Sequence, residues 1–184
     1  MVIENEVYKI IITIDETFTL NSTDNKPYEH IFNPSNLNCS NFYKIFSINI
    51  DDDNQKKHIG LIGSGYATVE NTAVLENNDL IVLMNTTLTV IDCCTLVLKL
   101  HKTISDCGMF FSIYKFENGY IVYGELDVLK LSSDFEIEWM FSGAEIFVQE
   151  DGSNSFYIEK DIIHLLDWEG RKYTLNKFGE EITK

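Results

Sequence analysis

The sequence predicts an all-β chain, an antiparallel meander folded into a sandwich or an incomplete barrel. Three observations carry that expectation. Apolar and polar residues alternate with period two over many short segments, turn-forming residues separate those segments, and no stretch of useful length has helical periodicity. Only 33–46, where Pro34-Ser35 could open a turn or two, holds weak helical candidates.

The alternation is clearest in FFSIYKF (110–116), YIVYGEL (120–126), DVLKLS (127–132) and FEIEWMF (135–141), all rich in β-branched and aromatic residues. In the last of these, Phe135, Ile137 and Trp139 are expected on a core face, with Glu136 and Glu138 facing water. Turn chemistry lies between the segments: Glu117-Asn118-Gly119, Ser132-Ser133-Asp134, Asp151-Gly152-Ser153-Asn154 and Trp168-Glu169-Gly170. The runs Leu80–Met84 and Thr95–Leu100 are apolar and short, as buried strands are.

These strands repeat. Glu76–Leu100 superposes without a gap on Glu117–Phe141, which sets Ile81 on Val122, Leu88 on Leu129 and Leu98 on Trp139. A third copy starts near Asp151, where 156–175 matches 122–141 and sets Glu159 on Glu125, Asp161 on Asp127, His164 on Lys130 and Tyr173 on Trp139. On this alignment His164 and Lys130 are expected on the solvent side. FFSIYKF and AEIFVQ (144–149) are expected as additional strands preceding the second and third copies. A unit of three or four strands every ~35–40 residues falls in the range of repeat architectures. Alternation plus turn residues is a small alphabet, so any antiparallel chain shows some self-similarity; the all-β meander follows in either case.

A chain of 184 residues can bury one substantial core, and 1–184 is expected to form a single domain. Its hydrophobic fraction of 45% excludes wholesale disorder. Against 14 basic residues stand 29 acidic ones, a net charge of -15, and Arg171 is the one arginine. Nucleic-acid binding draws its affinity from Lys and Arg on phosphates, so no nucleic-acid partner is expected. An acidic surface instead attracts a basic protein and speeds its encounter. No signal-peptide pattern opens the chain and no apolar run is long enough to span a membrane as a helix, so a cytoplasmic location without membrane association is expected. Cys39, Cys93, Cys94 and Cys107 are expected as reduced thiols, since adjacent cysteines on a strand face opposite sides.

No catalytic, cofactor or metal site is expected from motifs. Asp51-Asp52-Asp53-Asn54 lacks the alternating ligands, central glycine and distal glutamate of a calcium loop. Cys93, Cys94, His101 and Cys107 lack a zinc knuckle, and Gly60–Gly65 is neither a dinucleotide nor a phosphate loop. What remains is acidic. Glu125/Asp127 and Glu159/Asp161, each spaced by two, are expected to recur on one face. Trp168, in a turn, is the aromatic best placed for exposure. With Glu145, Glu150 and Asp151 they form the candidate partner-binding set. Paired carboxylates also leave a hydrolase as an alternative, and sheet edges leave a small self-associating or ligand-binding β scaffold as another.

Strands 110–175, with aromatic pairs ending in Trp139-x-Phe141, resemble blades of β-propeller repeats. That resemblance implies a small array of blade-like meanders as the alternative architecture. In size, acidity and lack of catalytic motifs the chain is also similar to bacterial toxin-immunity proteins. This second resemblance implies a non-catalytic protein that neutralises a basic toxin domain by covering an essential surface of it.

Overall fold

A computed structural model describes residues 1–52, 54–106 and 108–182. The described residues contain no helix, and the segment 33–46 holds turns followed by the start of a strand. The chain is all-β, and all strand pairings are antiparallel except one. The chain divides into two compact units, Met1–Ser105 and Asp106–Lys184.

The first unit holds two sheets. Strands β1 (Val2–Glu4), β2 (Tyr8–Ile14), β3 (His30–Phe32), β4 (Tyr43–Asp52) and β5 (Lys56–Ser64) form a five-stranded sheet in the order β1-β2-β4-β5-β3. In it β3 lies parallel to β5. Strands β6 (Ala73–Glu76), β7 (Asp79–Met84), β8 (Thr87–Asp92) and β9 (Leu98–Thr103) form a simple four-stranded meander. Ile10, Ile12, Phe46, Ile48 and Ile59 from the first sheet share a core with Leu80, Val82 and Ile91 from the second. A buried amine also joins them: Lys57 Nζ, on β5, donates to the carbonyls of Cys93 (2.8 Å) and Cys94 (2.7 Å). Cys93 and Cys94 lie in the turn after β8 rather than on a strand, the first buried and the second exposed. Burial pushes the Cys93 thiol up to about 12, so it stays protonated and unreactive.

The second unit repeats the meander. Strands β10 (Phe110–Phe116), β11 (Gly119–Gly124), β12 (Asp127–Ser132) and β13 (Ile137–Ser142) form one sheet. Strands β14 (Phe156–Glu159), β15 (Ile162–Leu166) and β16 (Lys172–Leu175) form another, and Glu181 bridges to Leu175 as the start of a fourth strand. Ile121, Val128, Phe147, Phe156, Ile163 and Leu165 build the core between them, with Trp139, Phe141 and Tyr173 packed at its margin.

Turn geometry fixes which strands correspond. The first hairpin of each meander has two turn residues, and the first of them is left-handed: Asn77 (φ 54), Glu117 (φ 49) and Lys160 (φ 55). In the third turn Asp92, Ser132 and Asn176 accept backbone N–H groups from residues that follow them. A left-handed residue recurs there too: Leu96, Phe135 and Gly179. Asn77 therefore corresponds to Glu117, not to Asn118, and the sequence alignment of the first two copies slips by one residue. On a strand such a slip exchanges faces. The third copy slips by a whole strand: β14 corresponds to β10, not to β11. AEIFVQ is an irregular connector and not a strand. Ile137 is correspondingly 48% exposed, while Lys130, expected in solvent, is 4% exposed. Its amine instead pairs with Glu138 and donates to the Leu131 carbonyl.

Two outcomes are expected. Lys57→Ala takes the amine donor from the buried Cys93 carbonyl and the part-buried Cys94 carbonyl and should lower unfolding free energy by about 2–4 kcal/mol. Urea titration would register this as a lower midpoint at unchanged slope. Lys160→Gly removes the Cβ from a left-handed position on an exposed turn and should stabilise by up to about 1 kcal/mol. A loss of stability in the same titration would contradict the turn assignment.

A candidate docking rim on the second unit

The rim is built from two turns and the connector between the sheets. The turn between β11 and β12 carries Glu125 and Leu126, and the Glu125 N–H donates to the Met109 carbonyl at 2.7 Å. The turn between β15 and β16 is organised by Asp167, whose side chain is wholly buried. Its carboxylate accepts the N–H groups of Glu169 (3.1 Å) and Arg171 (2.9 Å), the Tyr173 hydroxyl (2.8 Å) and the Arg171 guanidinium (3.1 Å). Burial works against the charge, but these donors outweigh it and hold the Asp167 carboxyl below the usual carboxylate range.

The connector 143–149 stitches the two turns together. The Phe147 N–H donates to Glu125 O at 2.7 Å, and the Trp168 N–H donates to Ile146 O at 2.8 Å. Gln149 Nε2 donates to Asp167 O at 2.7 Å. Between these bonds the Phe147 ring is fully buried against Phe141 and Tyr173. An apolar residue among polar neighbours reads as alternation, which is why the segment looked like a strand; its real role is to plug the core while its backbone serves the turns.

Glu125, Asp127, Glu145 and Trp168 are thereby brought to one rim. A cleft of about 330 Å³ runs along it, lined by Leu126, Asp127, Ser142, Gly143, Glu145 and Ile146 among others. Leu126 is 44% and Trp168 47% exposed, so the rim offers apolar surface between its carboxylates. Asp127 accepts from the Ser142 hydroxyl. Among the described residues no cation pairs with Glu125, Asp127 or Glu145, whereas Arg171 is held by Asp167 and Glu169. Sequence reasoning missed Leu126, Ile146 and Asp167. For Asp167 the signal was present in Asp167-Trp168-Glu169-Gly170-Arg171, an Asx-turn pattern ending on a left-handed glycine (φ 81).

The remaining candidates lie elsewhere. Glu150 and Asp151 are exposed in the turn that follows the connector, and the Asp151 carboxylate accepts the Ser153 N–H at 2.8 Å. Glu159 and Asp161 flank the β14–β15 turn, at the opposite end of β15 from Trp168. The expected single acidic face through Glu125/Asp127 and Glu159/Asp161 is therefore not formed. The alignment paired a first hairpin with a second one.

The first unit supplies a polar cluster that no motif announced. His58 Nε2 lies 2.8 Å from Ser47 Oγ, and His58 Nδ1 lies 2.9 Å from the Pro27 carbonyl. Because a carbonyl only accepts, Nδ1 carries the proton and the serine hydroxyl donates to Nε2. The Tyr28 ring stands over His58, with centroids 4.4 Å apart, and its hydroxyl donates to Asp15 at 2.7 Å. Lys26 pairs with the same carboxylate at 3.1 Å. Ser47 is 5% exposed, so this serine–histidine pair is closed to a substrate, and the carboxylate engages tyrosine instead of histidine. The cluster fastens the 15–29 strap to the sheet. His101 resembles a structural histidine in the same way, bonded to Ser35 and Thr89. Cys107 and Asp53 lie outside the described residues, and no group of three metal-ligating side chains occurs among the described ones.

No protein-family model and no curated protein matches the chain. Among solved structures, dihydro-heme d1 dehydrogenase NirN in complex with DHE is similar at a TM-score of 0.53, with 11% identity over 77% of this chain and 34% of that one. The computationally designed Ika4 protein gives a TM-score of 0.49 with 10% identity, over 65% of this chain and 72% of that one. BamB from Moraxella catarrhalis gives 0.48 with 14% identity, over 77% and 46%. The chain thus spans about a third of NirN and under half of BamB. At such identities the likeness concerns the fold alone.

Asp167→Ala removes the acceptor on which the Trp168 turn is built and is expected to cost about 2–4 kcal/mol. Because the folded carboxyl sits below its unfolded value of about 3.9, its contribution is present above that pH and fades as pH falls below it. Stability measured from pH 7 down to pH 2 should therefore fall less steeply in Asp167→Ala than in the unmodified chain. Parallel curves would refute the assignment.

Proposed function

We propose that this chain is a non-catalytic binding protein that captures a basic protein on the rim formed by Glu125, Asp127, Glu145 and Trp168. The observation that carries this reading is the stitching of the two turns by the connector, which holds three unpaired carboxylates and an exposed tryptophan on a hydrogen-bonded frame. A rim ordered before binding loses less entropy on docking, and a ring of like charge around apolar contacts suits steering followed by desolvation of an anchor. Residues 106–184 hold sixteen carboxylates against seven basic side chains, so the long-range field favours a cationic partner.

The finer reading is that of a bacterial immunity protein: the partner is a basic toxin domain, and the rim covers a surface that the toxin needs. Acidity, small size and the lack of a motif-bearing site support it. The likeness to solved structures adds nothing here, since proteins of this fold do many things.

The test is direct binding to purified basic proteins encoded beside the gene, measured by surface plasmon resonance at several salt concentrations. A cognate partner should bind at nanomolar affinity, weakening as salt rises. The triple variant E125Q/D127N/E145Q should slow association at least about tenfold, and Trp168→Ala should speed dissociation. The control E150Q/D151N/E159Q removes the same charge away from the rim. If it matches the rim variant, net charge and not the rim is responsible, and the proposal fails. It fails equally if no such protein binds.

A further inference from the structure

The last sheet has an outer face whose counterpart in the preceding meander is a packing surface. Counted from the left-handed turn residues Glu117 and Lys160, Tyr114 corresponds to Tyr157, Phe116 to Glu159, Ile121 to His164 and Tyr123 to Leu166. Strand pairing carries the register on, so that Val128 corresponds to Lys172. Phe116, Ile121 and Val128 belong to the core between the two sheets of the unit, and Tyr114 and Tyr123 pack on it. In β10 to β12, then, this face is covered by a sheet. In β14 to β16 the same face is open: Tyr157 is 52% exposed, and Ile182, tied beside Thr174 by a 2.7 Å backbone bond, is 40% exposed. A hollow of about 580 Å³ lies along it.

A sheet that only capped the fold against water would carry charge across that face. Here charge is kept to two corners. Glu159 ends β14 and Lys172 begins β16, on the same side of the sheet as the row Tyr157, His164 and Thr174. Ile162 and Leu166 flank that row on β15, both half-buried. Among the described residues neither Glu159 nor Lys172 has an ionic partner. With strands ~4.8 Å apart and ~3.3 Å per residue, the two corners are ~16 Å from each other and cannot pair within one chain. Between them the Tyr157 and His164 rings hold each other by stacking, centroids 4.4 Å apart, so they lose little freedom when covered.

We propose that this face joins a second copy of the chain, sheet to sheet, about a two-fold axis passing by His164. Opposite charges at diagonal corners are self-complementary. When the second copy is turned over about an axis between those corners, each Lys172 meets Glu159 of the other copy. Tyr157 then lies over Leu166 of the other copy, and the strands cross near a right angle, one of the two ways in which sheets pack. The contact is independent of the acidic rim. Its patch, roughly 17 by 19 Å, is well below the ~800 Å² per partner of a standard interface, so the dimer is weak and transient. The net charge of -15 opposes association at long range, which salt screens beyond about 8 Å at physiological ionic strength.

Sedimentation velocity of the full chain at physiological ionic strength tests this. A monomer–dimer equilibrium with a Kd on the order of 10–100 μM is expected. Tyr157→Arg should weaken it at least about tenfold. Lys172→Glu and Glu159→Lys should each weaken it, although the first raises the net negative charge and the second lowers it. The double variant K172E/E159K should restore it, which corners too distant to pair within one chain can do only across two copies. All three side chains are exposed, so the variants keep the fold, which circular dichroism would check. A chain that stays monomeric up to about ten times the expected Kd overturns the proposal. So does a dimer unchanged by Tyr157→Arg, or a double variant no stronger than its single parents.

Discussion

The strands at the centre of each four-stranded meander are apolar on both faces, and no such sheet can stand alone in water. Leu80 to Met84, Leu88 to Ile91, Tyr120 to Val122 and Val128 to Leu131 are buried in succession, with no solvent face to spare. Each meander packs one of these faces against the other sheet of its own unit. Hydrophobic burial thus decides the architecture, and the nearly buried charges are bonded, while the neutral Thr72 Oγ1, Asn85 Oδ1 and Ser155 Oγ are buried without a partner. Lys57, Lys130 and Asp167 are the instructive cases: each is nearly or wholly buried and each is bonded.

The same constraint explains where a contact surface can form. The faces of the central meander strands are occupied by packing, which leaves turns, connectors and the open faces of strands such as β2, β13 and β15. The proposed acidic rim uses turns and a connector. There the candidate groups stand on backbone that is already hydrogen-bonded, so a partner would meet a braced frame.

Much of this was legible in the sequence. FFSIYKF and DVLKLS are strands at their expected bounds, and the all-β antiparallel character follows from alternation and turn residues. The repeat was visible as well, but its register was not. Alternation has period two and tolerates a slip by one residue, or by a whole hairpin, at little cost in apparent similarity. What breaks the tie is backbone conformation at Asn77, Glu117 and Lys160, and two of these three residue types do not advertise a left-handed turn. The acidic rim was half legible for a related reason. Glu125, Asp127, Glu145 and Trp168 could be picked as exposed and charged, yet what assembles them is a pair of main-chain hydrogen bonds, from Phe147 to Glu125 and from Trp168 to Ile146, that side-chain identity does not encode. Glu159 was drawn in by the misregistered alignment.

The amine of Lys57 has a kinetic meaning as well as a static one. Its acceptors lie 36 and 37 residues further along the chain, in a turn that belongs to the other sheet. Neither sheet can offer that bond while it forms by itself, and an ammonium group cannot leave water until both apolar faces have closed around it. The interaction therefore belongs to the final docking of the sheets. It acts as a latch that slows opening of the finished unit and leaves the speed of its assembly almost untouched.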